Sequence, residues 1–94
     1  MNPPETSKVF YSIYQVSKNY SGDWKNEALN NVKSELNYDF VTLENIEFIP
    51  LEHDLERFTD ENLDYYRLKI TLDQEIQLDD EMKKDWLERH KDNL

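Results

Sequence analysis

The chain contains no cysteine and a single glycine in 94 residues. Without thiols there is no disulfide, no thiolate nucleophile and no thiolate metal site. One glycine cannot build the glycine-rich loops that cradle phosphates, and no G-x-S-x-G elbow occurs. His53 and His90 are the only histidines, and no H-E-x-x-H pair exists. No apolar run approaches the ~18 residues of a membrane span. The opening MNPPETSK lacks the basic and then apolar layout of a secretory signal, so a cytoplasmic location is the expectation.

Basic residues are scarce too. Lys and Arg total 11 against 21 Asp and Glu, giving a net charge of -10. That sign repels phosphate backbones and anionic membranes, so neither nucleic acid nor membrane is expected as a direct partner. It attracts a basic protein face and speeds the encounter. The charge is uneven. Residues 1–50 carry 7 acids and 4 bases, whereas residues 51–94 carry 14 acids and 7 bases.

Enough apolar material is present for one modest core. Val, Ile, Leu and Phe make up about a quarter of the chain, above the roughly 20% below which charged chains stay unfolded. Six Tyr and two Trp add bulk. The chain reads as a flexible tail over residues 1–7, where Pro3-Pro4 disfavours regular pairing, and a single domain over 8–94.

The first strand is expected over Lys8 to Val16. Val9, Tyr11 and Ile13 fall on one face and Phe10, Tyr14 and Val16 on the other. After Gly22, Trp24, Ala28, Val32 and Leu36 recur every four residues with Leu29 beside them, the stripe of an amphipathic helix. Ser21 or Asp23 is its N-cap candidate and Asn37 its end. A second strand is expected to begin at Phe40, Val41 and Leu43 and to continue through Ile46, Phe48 and Ile49. Its phase slips at Glu44-Asn45, which predicts a bulge or turn, and Pro50 marks its end or an edge. Tyr66, Leu68, Ile70 and Leu72 alternate with Arg67, Lys69, Thr71 and Asp73, a half-buried third strand. A last helix carries Met82, Trp86, Leu87, His90 and Leu94 in a stripe, capped by Asp79, with acids at its start and bases at its end.

The expected fold is therefore α+β. A three-stranded sheet in β-α-β-β-α order carries two amphipathic helices on one face, like a ferredoxin-like fold lacking its last strand. The helix-connected crossover predicts parallel pairing of the first two strands. Loss of a fourth strand leaves the first at an edge, so one reading makes the chain a homodimer, or another oligomer with a structural or small-ligand role, assembled through residues 8–16.

The stretch LEHDLERFTDENLDYY, residues 51–66, holds six acids and one base. As a calcium loop, Asp60 to Thr71 fails: Tyr65 stands where glycine is needed and Thr71 where a bidentate Glu is needed. Catalysis is not expected, because these carboxylates lie in hydrophilic runs that offer no burial to tune a pKa. No cofactor or metal site is expected either. The favoured reading is a non-catalytic protein-binding module. Its carboxylates would imitate nucleic-acid phosphates and block a basic nucleic-acid-binding or toxic enzyme. The residues expected to carry this are Glu52, Asp54, Glu56, Asp60, Glu61, Asp64, Asp79, Asp80 and Glu81, with Phe58 and Tyr65 as anchors. In composition the chain resembles phage inhibitors, decoys and immunity proteins, often small, acidic and poor in cysteine; no motif ties it to one family.

Overall fold

The computed structural model describes residues 2–90, with the side chain of His90 outside that description. The elements run β1 (Thr6–Ser17), α1 (Trp24–Leu36), one 3-10 turn (Leu43–Asn45), β2 (Ile46–Leu51), β3 (Leu63–Gln77) and α2 (Asp80–His90). This is the expected α+β order. No helix among the described residues is long and apolar enough to cross a membrane. The chain divides into two compact units, one of residues 9–72 and one joining the residues up to Lys8 with those from Asp73 onward.

The sheet order is β1-β3-β2. β2 and β3 pair antiparallel, with Ile46 opposite Ile70 and Leu51 opposite Tyr65. β1 and β3 also run in opposite directions: Lys18 N–H donates to Asn62 O at one end, and Leu78 N–H donates to Glu5 O at the other. The first two strands are thus not neighbours, contrary to the crossover expectation, because β3 lies between them. β3 has the strictest alternation, and the central position gives its backbone groups partners on both sides.

In the 9–72 unit, Leu68, Ile70 and Leu72 are buried on one face of β3. Phe48 and Ile46 stand opposite Leu68 and Ile70 on that face. α1 buries Ala28, Val32 and Leu36, as its four-residue repeat dictates. Trp24 anchors the helix start: its ring stacks on Tyr66 at 4.8 Å and on Tyr14 at 6.2 Å, and meets Phe48 edge-on at 5.4 Å. Such pairs contribute about 0.5–1.5 kcal/mol each beyond the area they bury. Ser12 Oγ donates to Glu35 on α1, so the even-numbered residues of β1 face the helix and Val9, Tyr11 and Ile13 face away.

Local chemistry sets the helix limits. Asp23 Oδ1 accepts from Asn26 N–H, making Asp23 the N-cap. Asn37 closes the helix in the left-handed region at φ 50°, its N–H returned to Ser34 O. Gly22 leaves room for Tyr20, whose hydroxyl donates to Glu27 Oε1 at 2.6 Å. The second strand is shorter than its apolar pattern suggested. Thr42 N–H and Oγ1 both reach Asn45 Oδ1, and Asn45 Nδ2 donates to Thr71 O. These bonds hold residues 42–45 in a turn, so Val41 packs inward while Phe40 is 79% exposed.

In the other unit, β1 starts at Thr6, two residues before its apolar pattern begins. Glu5 O takes the Leu78 N–H, Thr6 Oγ1 donates to Glu75, and Lys83 Nζ lies 3.2 Å from Glu5 Oε2. Asp79 caps α2 by accepting from Met82 N–H at 2.8 Å. Met82 and Trp86 are half-buried and Leu87 is exposed. The remainder of the expected stripe, the His90 side chain and Leu94, lies outside the described residues.

Leu68 is 1% exposed at the centre of β3. Leu68→Ala should lower unfolding free energy by about 2–5 kcal/mol in urea titrations, through lost burial and the cavity left behind. A Cβ at position 22 would sit 2.5 Å from the Tyr20 hydroxyl. Gly22→Ala should therefore swing Tyr20 off Glu27. Tyr20 has its pKa raised chiefly by that hydrogen bond, so ultraviolet titration should show one tyrosine moving back toward the ordinary value.

Candidate acidic loop

The connector between β2 and β3 is an ordered loop organised by one carboxylate. Asp54 Oδ1 accepts the backbone N–H groups of Glu56, Arg57 and Phe58 at 2.8, 2.5 and 3.3 Å. Asp54 N–H in turn donates to Phe58 O at 3.1 Å, closing the turn. An aspartate reaching its own following amides is the usual Asx device of turns, here used three times over. Arg57 Nε stands 3.7 Å from Asp54 Oδ2, and its guanidinium lies over the Phe58 ring. The amides, Arg57's first, then Glu56's, hold the Asp54 carboxyl below the ordinary aspartate range.

A second carboxylate closes the loop onto β3. Asp60 Oδ1 accepts from Asn62 N–H, and Asp60 O accepts from Leu63 N–H. The Tyr65 hydroxyl accepts from Asp60 N–H at 3.3 Å. His53 Nε2 donates to Leu63 O at 2.8 Å. Tyr65 itself, 7% exposed, lies between the rings of His53 and Phe58, at 5.7 and 5.1 Å. The loop therefore folds over the end of the sheet face opposite α1, using Tyr65 as its floor.

The structure sorts the expected site residues into two groups. Asp54, Asp60 and Tyr65 hold the loop together, and Phe58 is half-buried against Tyr65. The Tyr65 ring is thus committed to packing. Glu52, Glu56 and Glu61 are exposed, and Asp64 is half-exposed at the start of β3. Among the described residues Asp54 is the only one of the nine expected carboxylates in an ion pair. Asp79, Asp80 and Glu81 belong to the other unit, where they cap and open α2. Negative charge there suits the helix N-terminus.

His53, noted above only as a histidine without a metal-ligand pair, enters this site through its ring and its bond to Leu63 O. Its signal was slight, a lone ring two positions after β2, where it reaches back to the next strand. Among the described residues, no three acidic, His or Cys side chains gather as metal ligands would. The segment Asp60 to Thr71, weighed above as a calcium loop, runs from a turn into β3.

The chain matches no protein-family model, and no curated protein or solved structure is significantly similar to it.

The loop is held by the ionised form of Asp54. Because the folded pKa is depressed, this contribution is complete above the unfolded value and is lost as pH falls through the folded one. Hydrogen exchange should show the amides of Glu56, Arg57 and Phe58 losing protection together in that acid window. Asp54→Ala should remove the same protection at neutral pH, without changing the amides of β3.

Proposed function

We propose that this chain is a small non-catalytic binding module. It engages a basic protein surface through the rim of the 52–62 loop, as an inhibitor or decoy of a nucleic-acid-binding or toxic enzyme. One observation carries this reading. Glu52, Glu56 and Glu61 stand exposed and unbridged on a loop that Asp54 and Asp60 hold in shape. Fixed carboxylates lose little entropy on meeting a partner, and their field speeds its approach. The loop's only base, Arg57, is engaged with Asp54 and Phe58 and neutralises little of the rim. Asp79, Asp80 and Glu81 belong to the other unit, where they open α2. The scaffold beneath is a ferredoxin-like layout without its last strand, a reading supported by β3 lying between β1 and β2.

The test uses immobilised poly-lysine as the basic probe and two charge-matched variants. One reverses Glu52, Glu56 and Glu61 to Lys. The other reverses Asp39, Glu44 and Glu47, also exposed and outside the 52–62 loop. Association should slow about tenfold or more for the loop variant and much less for the other, and wild-type binding should weaken as salt rises. Equal slowing by both variants would show that net charge governs, and would sink the rim as a site.

A further inference from the structure

One large apolar side chain of the acidic loop contributes nothing to the fold. Leu55 is 98% exposed, more than any other large apolar side chain among the described residues. Its backbone, by contrast, is fixed on both sides. Asp54 N–H donates to Phe58 O, and Asp54 Oδ1 accepts from the amides of Glu56, Arg57 and Phe58. Within this closed turn Phe58 packs on Tyr65 and Arg57 lies over Phe58, whereas Leu55 is turned to solvent. Turns of this kind favour glycine, proline, asparagine, aspartate or serine. A leucine there leaves apolar surface in water, and folding recovers none of it.

A lone exposed leucine is ordinary on a protein surface. This one differs in its surroundings. Residues 52–62 hold five acids and one base, and that base, Arg57, is engaged with Asp54. Glu52 and Glu56 stand exposed on either side of Leu55 in the chain.

We propose that Leu55 is the apolar anchor of the acidic rim, seated among apolar side chains that a basic protein surface carries within its positive charge. The proposal rests on the rim reading above and narrows the partner from any polycation to a basic face with an apolar centre. Charge selects this occupant. A second copy would bring the same five acids against the loop. Nucleic acid and anionic lipid are repelled by them. A neutral apolar surface would strip water from the carboxylates and return no partner. A basic face pairs with them while Leu55 is buried, which gives the contact the usual apolar centre and polar rim. Because the turn is already closed, seating Leu55 orders one side chain and little backbone. The labour then divides: the glutamates speed the approach, and Leu55 prolongs the stay.

Binding kinetics on two immobilised probes test the proposal. One is poly-lysine, and the other is a random lysine–phenylalanine copolymer of equal lysine content. Wild type should leave the copolymer about tenfold more slowly than poly-lysine. Leu55→Ser should abolish that difference, with association and poly-lysine binding unchanged, and Leu55→Met should retain it. Phe40→Ser, outside the loop at a site 79% exposed, should leave the difference intact. Unchanged circular dichroism and unchanged protection of the amides of Glu56, Arg57 and Phe58 would show that the Leu55→Ser turn still closes. A copolymer held no longer than poly-lysine overturns the anchor. So does an advantage that survives Leu55→Ser, or one that Phe40→Ser removes equally. The rim fails on separate grounds, when reversing Glu52, Glu56 and Glu61 slows association with poly-lysine no more than the control reversal does.

Discussion

The alternation along β3 is the constraint on which the 9–72 unit depends. Leu68, Ile70 and Leu72 point one way and Arg67, Lys69 and Thr71 the other. A slip of one residue would exchange the two sets, exposing the core and burying two charges. Register is secured from both sides, by β2 through pairs such as Phe48 with Leu68 and by β1 through Lys18 and Asn62. With β3 fixed, α1 has one apolar surface to cover, and Trp24 locates the helix on it through three aromatic neighbours. The opposite face receives Glu47 across from Lys69, a favourable cross-strand charge pair.

The acidic loop shows how one residue type divides its labour. A carboxylate within reach of consecutive amides satisfies backbone donors that water would otherwise serve. Asp54 and Asp60 do this, and the loop gains its shape from charge as well as from Tyr65 beneath it. Glutamates at 52, 56 and 61 make no such closure and face solvent. Counting acids along the stretch therefore overstates what a partner would meet. Glu52, Glu56 and Glu61 are the subset left over after the backbone has been served.

Much of the scaffold was legible in the sequence because it depends on periodicity. The repeat Trp24, Ala28, Val32, Leu36 located α1, and the alternation from Tyr66 to Leu72 located β3, since each pattern has one period and one buried side. Asp23, Asn37 and Asp79 were readable as helix ends for chemical reasons that operate locally. The segment 40–45 was not. Its apolar residues suggested a strand, but the Thr42 and Asn45 side chains bond each other and the distant Thr71 O, a tertiary contact with no periodic signature. Strand order was missed for the same reason: pairing is set between segments remote in sequence. In the loop, Tyr65 looked like an anchor because it neighboured acids. Its burial depends on Phe58 and His53 folding over it.

The shape of the loop has a consequence for which substitutions count as mild. Asp54 touches three amides through one oxygen, a reach that suits a side chain with a single methylene. Glutamate there keeps the charge yet sets the oxygen one carbon too far out, so an exchange that leaves the electrostatic sum untouched disrupts the turn. At 52, 56 and 61 the reverse exchange, glutamate to aspartate, alters neither a bond nor the sum. Drift between the two acids should therefore be free on the rim and closed at its organising residue.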